Sequence, residues 1–489
     1  MSIPYPAWNY KSDGGNLRKS KGSAGNGTFS RARRLRKQKD STTREVPKHM
    51  KKTLFRRILA AMLVSLTLVG CASVPSDTPD TDNAAAKEKD TDAEVRDTDK
   101  PAANAKPDTP VLLAANRDPQ TVALDAAFLQ GVNDFSTELF HKSLTPGKNL
   151  VLSPYSVYNL LAVLANGASG DTAAALSDVL GYDDILALDD SLYSAKESLA
   201  GTGVTEIANG IWLNSDVGFT LHDAYAATVQ RYFNAQSTPL SFSDVKSVSE
   251  INRWISDATH GMIPETLKEL SPDAAAVLAN TVYFNGKWVI PYDEWSVTDD
   301  TFHGYSGDTT ASFMHSKEYS YFTVDGGVGF TKNYENGYTF VAVLPDDDVY
   351  AFAGSLSADT LLAARDTANQ NQEKVIVSLP KFEYEADIPL LATLSDMGLS
   401  ALFSPDANLT GIGEDGAGNS AYVSDMFQKA KIRTDEGGTE AAAVTVGVME
   451  CMSLMPEEPK EIVFDRPFVY AILTPEGLPL FLGVLANID

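Results

Sequence analysis

Thr434-Asp435-Glu436-Gly437-Gly438-Thr439-Glu440-Ala441-Ala442-Ala443-Val444-Thr445 lies near the C-terminal end of a 489-residue chain and reads as a strand that need not yet be paired. Small and β-branched residues suit a pleated sheet, and Gly437 and Gly438 give the segment a bendable entry. Thr439, Ala441, Ala443 and Thr445 alternate on one prospective face, while Glu440 falls on the other. Because no bulky side chain, charge or proline sits on the first face, the segment can pass from an exposed loop to a buried strand.

Upstream of this stretch the chain alternates helical and strand patterns over a length ample for a large core. Val122, Leu124, Phe128, Leu129, Val132, Phe135, Leu139 and Phe140 are spaced as on one helix face. Asn149 to Leu180 reads as a short buried strand, a helix begun at Ser153-Pro154, a glycine turn and a second helix capped near Asp171-Thr172. Strands are expected at 206–214, 276–289, 338–345 and 373–385, with helices at 247–258 and 388–398. The fold class is therefore α+β with mostly antiparallel sheets.

The N-terminal quarter has a different composition. Residues 1–49 are rich in Lys, Arg, Gly and Ser, include the run Arg31 to Lys37, and read as a disordered basic segment or a mis-called start. From Met50 the chain reads as an export signal: Lys51, Lys52, Arg56 and Arg57, an apolar run from Ile58 to Val69, then Gly70 and Cys71. That run is shorter than the roughly 20 residues a membrane-spanning helix needs. The ending Leu68-Val69-Gly70-Cys71 is similar to a bacterial lipobox, which implies a signal peptide over 50–70 and a diacylated Cys71 as the mature N-terminus. Ordinary secretion with a chance cysteine is the alternative. Residues 71–120, dense in Asp, Thr, Ala and Pro, read as a disordered tether, and 121–489 as the folded domain.

After residue 70 the chain carries 24 Lys and Arg against 62 Asp and Glu, a net charge of about −38, which excludes nucleic acid as a partner of the mature protein. Cys71 and Cys451 are the only cysteines, so lipidation of Cys71 leaves Cys451 as a free thiol and no disulfide framework. The six histidines lie singly, with no metal-ligand spacing. Nucleotide-binding and nucleophile-elbow motifs are missing too, so neither a catalytic residue, a metal nor a cofactor is assigned. A Ser-His-Asp set assembled from distant residues stays open.

Seven motifs then occur in order: NLVLSPYS (149–156), ANGASGDTAAAL (165–176), INRWISDATHGMI (251–263), LANTVYFNGKW (278–288), LPKFEYE (379–385), DEGGTEAAAVT (435–445) and FDRPFVYAI (464–472). Together they resemble the serpins, the serine protease inhibitors, as a bacterial lipoprotein-type member. The resemblance implies three β-sheets, about eight to nine helices and an exposed reactive-centre loop over about 436–460. It implies that a protease cleaves the loop, forms an acyl-enzyme and is trapped when the loop inserts as a strand of the central sheet.

By the loop length usual in inhibitory members, counted from Glu436, the scissile bond falls at Met452-Ser453, with Cys451-Met452 and Leu454-Met455 as alternatives. A methionine at the primary position suits elastase-like or chymotrypsin-like pockets. The hinge is Glu436, Gly437, Gly438, Thr439, Glu440, Ala441, Ala442, Ala443, Val444 and Thr445. Ser153, Ser156 and Asn280 match the polar cluster where the sheet parts, Gln428 stands where the family commonly has histidine, and Trp288 matches the aromatic residue near where insertion starts. The implied partners are serine proteases in covalent complex and a membrane through Cys71, for a monomer exported to the cell envelope. The competing expectation is a non-inhibitory serpin acting as a binding or adhesion module.

Overall fold

Ala274–Phe284 is a run of eleven residues that are all buried, as a strand covered on both faces requires. In the computed structural model, which describes the backbone of 60–70 together with residues 117–439 and 459–488, this strand (β6) lies in the middle of the largest sheet. The lateral order is β5 (Gln236–Leu240), β3 (Thr205–Asn214), β6, β1 (Ala60–Gly70) and β16 (Ala421–Asp435), with β14 (Phe382–Pro389) on the far side of β16. Only the β3–β5 pairing in this sheet is parallel. At one end, β17 (Gly438–Thr439) sits between β16 and β7 (Gly286–Lys287), the short continuation of β6. β1 and β17 thus occupy one lane, with β16 along one side and β6 and β7 along the other.

A six-stranded sheet runs β10 (Tyr321–Val324), β11 (Gly327–Asn333), β12 (Thr339–Pro345), β19 (Phe468–Leu473), β20 (Pro479–Leu485) and β2 (Leu150–Leu152). A third contains β18 (Lys460–Val463), β13 (Val375–Pro380), β9 (Gly307–Glu318) and β8 (Val297–Gly304), and β15 (Gly413–Glu414) pairs with β4 (Thr220–Leu221). Among the described residues the helices are α1 (Ala126–Ser143), α2 (Pro154–Ala165), α3 (Gly170–Leu180), α4 (Ile185–Gly201), α5 (Asp223–Phe233), α6 (Val245–Ala258), α7 (Val349–Ala353), α8 (Ala358–Asn371) and α9 (Leu391–Leu394). This is the expected α+β architecture, with three main sheets.

α2 deserves its central place for a physical reason. Ser153 accepts a hydrogen bond from the Ser156 N–H as N-cap, Pro154 stands at the first helical position, and all twelve helical residues are buried. The helix packs behind β6 and β20, so its N-terminus points polar groups at the middle of the lane. On α6, Ile251 and Ile255 turn inward onto β3 and β6.

Several boundaries differ from the sequence expectation. α1 starts at Ala126 behind an Asp125 cap, so Val122 and Leu124 precede it. α3 begins after Ser169, with Asp171 in its first turn rather than at the cap. Residues 373–385 form two strands in different sheets: β13 ends at Pro380, the Lys381 N–H still donates to the Ser312 carbonyl on β9, and the chain then passes into β14 at Phe382. The helix expected over 388–398 is displaced: Ile388, restricted by the following Pro389, stays extended opposite Gln428, and helical turns begin only at Leu391. The apolar run read as an export signal contributes, over Ala60–Gly70, a full strand of the main sheet.

Candidate functional site

The lane is lined at mid-height by the polar residues singled out above. Ser153, Ser156, Asn280 and Gln428 are all inaccessible to solvent. Ser156 donates its hydroxyl to Asn280 Oδ1 at 2.5 Å, and Asn280 Nδ2 donates to Asn209 Oδ1 at 2.8 Å. On the other side, Gln428 Oε1 accepts from the Ser153 N–H at 2.9 Å and its Nε2 donates to the Ser153 carbonyl at 3.0 Å. Each strand bordering the lane is therefore fastened to the N-terminus of α2, not to the other strand. An amide can satisfy a backbone donor and acceptor together, and Gln428 does so here as a neutral group.

The head of the lane is aromatic and charged. Trp288, 1% exposed, donates Nε1–H to the Asp435 carbonyl at 3.0 Å, and its backbone N–H donates to the Gly437 carbonyl at 3.0 Å. Its ring stacks on Tyr334 with centroids 4.2 Å apart and planes at 15°. The Tyr334 hydroxyl lies 2.5 Å from Thr439 Oγ1, which is fully buried and also 3.3 Å from Thr434 Oγ1. Burial pushes the Tyr334 phenol well above its ordinary range, so it stays protonated and available to donate.

Two ion pairs brace this head. Lys332, almost fully buried, meets Glu318 at 2.5 Å and stands 4.3 Å from the centroid of the Tyr292 ring. Burial lowers the lysine's pKa and Glu318 opposes that fall, the balance expected of a buried pair. Glu436, at the start of the hinge, pairs with Lys381, the residue where β13 gives way to β14.

Beside the bendable entry it gives the segment, Gly438 has a second, steric reason to be glycine. A Cβ there would stand 2.1 Å from the Gly286 carbonyl oxygen across the β17–β7 pairing. A Cβ on Gly286 would in turn meet the Phe284 ring at 2.3 Å. Gly438 thus permits the close backbone approach of β17 to β7, and Gly286 leaves room for the Phe284 and Tyr334 rings.

Ser153, Ser156, Asn280 and Gln428 converge on one end of α2, and Trp288 joins Glu436–Thr439 at the lane head. Glu440, Ala441, Ala442, Ala443, Val444, Thr445, Cys451, Met452, Ser453 and Cys71 lie outside the described residues, as do the alternative bond residues Leu454 and Met455. Sequence reasoning missed Tyr334, Lys332, Glu318, Lys381 and Asn209. An isolated lysine within the alternating strand Gly327–Asn333 was the one available signal for the buried pair.

Comparisons with known proteins agree with this geometry. A family model described as serpin (serine protease inhibitor) matches residues 130–488. An uncharacterized serpin-like protein of Thermococcus kodakarensis is 29% identical, over 73% of this chain and 85% of its own. Leukocyte elastase inhibitor A of Mus musculus is 29% identical, covering 71% of this chain and 96% of its own. Among solved structures, the thermophilic serpin tengpin in its native state superposes with a TM-score of 0.68 at 30% identity, over 78% of this chain and 99% of that one. The chain belongs to the serpin family.

Proposed function

We propose that the processed protein is a suicide inhibitor of extracellular serine proteases of elastase-like or chymotrypsin-like specificity, with Met452-Ser453 as the bond attacked. The observation that carries this reading is the pairing of Thr439 with Thr434 at the head of the lane. If the loop continues in that antiparallel register, Ala441 comes opposite Ile432, Ala443 opposite Ala430 and Thr445 opposite Gln428. Ile432, Ala430 and Gln428 are all fully buried, so small residues are needed opposite them, and Thr445 would bring its hydroxyl to the one polar stretch of the lane.

The same register carries Met452 to Ala421, the first residue of β16. Thirteen loop residues from Glu440 to Met452 at about 3.3 Å each would move a tethered protease by about 43 Å. New ladder bonds and apolar burial would drive this step once and irreversibly. The name of the leukocyte elastase inhibitor relative supports the protease class. The lipobox-like ending at Cys71 supports attachment to the cell envelope through acyl chains, with the acidic tether holding the domain away from the membrane.

Incubation of the processed protein with pancreatic elastase and with chymotrypsin, followed by denaturing electrophoresis, tests the proposal. A covalent, SDS-resistant complex is expected. Loop cleavage with no such complex from any protease would overturn it.

A further inference from the structure

The lane that the loop needs is occupied by the chain's own apolar leader. β1 pairs antiparallel with β16 from Ala61 opposite Lys431 to Gly70 opposite Ala421, and with β6 from Ala60 opposite Phe284 to Val69 opposite Ala274. β6 is also paired with β3 over Ala276–Phe284, and β16 with β14 over Phe427–Thr434, and β1 takes up the lane-side ladders of both strands below the head. Val64 lies in register with both Asn280 and Gln428, the two residues that fasten the lane's walls to α2.

The fit in length and position is close. β1 contains eleven residues and ends at Gly70, immediately before Cys71. Continued from Thr439 opposite Thr434, the loop would claim the positions opposite Lys431 to Ala421 with Ala442 to Met452. Those are the positions β1 holds, in the same antiparallel sense. Two segments of one chain thus compete for one set of ladder hydrogen bonds, and a buried ladder accepts only one of them.

We propose that the leader strand is a self-blocking strand of the unprocessed chain. While residues 60–70 remain attached, they complete the sheet, and a protease that cuts the loop is released because the loop has no lane to enter. Cleavage before Cys71 severs all of β1 from the domain, so inhibitory competence is tied to export and processing, and copies retained inside the cell are inert. This rests on the proposed inhibitor reading for its biological meaning, but the strand competition itself is separately measurable.

The test compares three full-length or naturally processed proteins: the unprocessed chain carrying Cys71→Ala, the same chain with Ser65→Pro and Thr67→Pro, and the processed protein recovered from the envelope. Proline removes backbone donors from β1 and cannot sit in a central strand. Hydrogen exchange at the β6 and β16 amides should be slow in the unprocessed chain and at least about tenfold faster in the double-proline chain, and elastase complex should be about tenfold scarcer with the unprocessed chain than with the other two.

Circular dichroism of the double-proline chain checks that it folds. A synthetic peptide of sequence Ala60–Gly70 added to the processed protein should raise its Tm and suppress complex formation, a readout independent of the substitutions. Equal exchange in the proline and unmodified chains, together with no response to the peptide, would overturn the proposal. If the exchange and peptide results hold while no form traps a protease, the strand competition stands and the inhibitor reading fails.

Discussion

The head and the middle of the lane are built from opposite materials. At the head, Trp288, Tyr334 and Thr439 interlock through stacking and hydrogen bonds, with the buried Lys332 paired to the partly buried Glu318 beside them. At the middle, Asn280 is bonded to Ser156 and Asn209, and Gln428 to the backbone of Ser153. The head is held by direct interlocking contacts, whereas the polar groups at the middle are satisfied by partners on α2 and β3. Under the proposed mechanism, this division lets a strand enter the lane without removing the side-chain partners of Asn280 and Gln428.

Breaking the head should have the largest effect. Thr439→Arg puts a charge into a fully buried site beside Tyr334 and should cut complex formation by about 100-fold or more, turning the protein into a substrate on denaturing gels. If Thr439→Arg traps elastase normally, the head is not where insertion starts. Lys332→Ala leaves Glu318 partly buried without its cation and should destabilise the fold by about 3 kcal/mol in urea unfolding of the processed protein. A loss below about 1 kcal/mol would mean that water replaces the pair and that the head is less rigid than described.

The middle should respond more mildly. Gln428→Ala removes the partner of the Ser153 N–H and one of the two donors to the Ser153 carbonyl, at a cost of about 1–3 kcal/mol, and should ease lane opening, seen as faster amide exchange in β16 near residue 428. Unchanged exchange there would show that Gln428 does not fasten the lane wall.

A control lies outside both regions. Asp189 on α4 is buried, accepts from Asn166 Nδ2 at 2.9 Å and has its other carboxylate oxygen without a partner. Burial pushes its pKa up to about 7. The folded state therefore holds this proton more tightly than the unfolded chain, so the associated stability is complete below the ordinary carboxylate pKa and is lost as pH rises through about 7. Asp189→Asn should stabilise the protein by about 2 kcal/mol at pH 8 and by little at pH 4, with no change in protease trapping. Equal effects at both pH values would contradict the buried-carboxylate account.

Much of this organisation was legible in the residues. NLVLSPYS and LANTVYFNGKW supply Ser153, Ser156, Asn280 and Trp288, and Gly438-Thr439, at the start of the small-residue run, pairs as a short strand with β16. What escaped the sequence had specific physical causes. Residues 373–385 look like one strand because a chain crossing from one sheet to another changes no hydrophobic pattern, and only Pro380 hints at the break. The buried lysine at 332 is recognisable only when Glu318, on another strand, arrives beside it. The apolar run before Cys71 reads equally well as an export signal or as a strand buried on both faces, since periodicity does not separate short apolar runs. Its ladders with β6 and β16 emerge only once those distant strands stand about 10 Å apart with one lane between them.

The most direct test of the account is the fate of the loop in the processed protein after reaction with pancreatic elastase, read by intact mass. The account predicts an SDS-resistant complex together with a released fragment that begins at Ser453 and ends at Asp489. Complete cleavage at that bond with free, active elastase and no complex would contradict it.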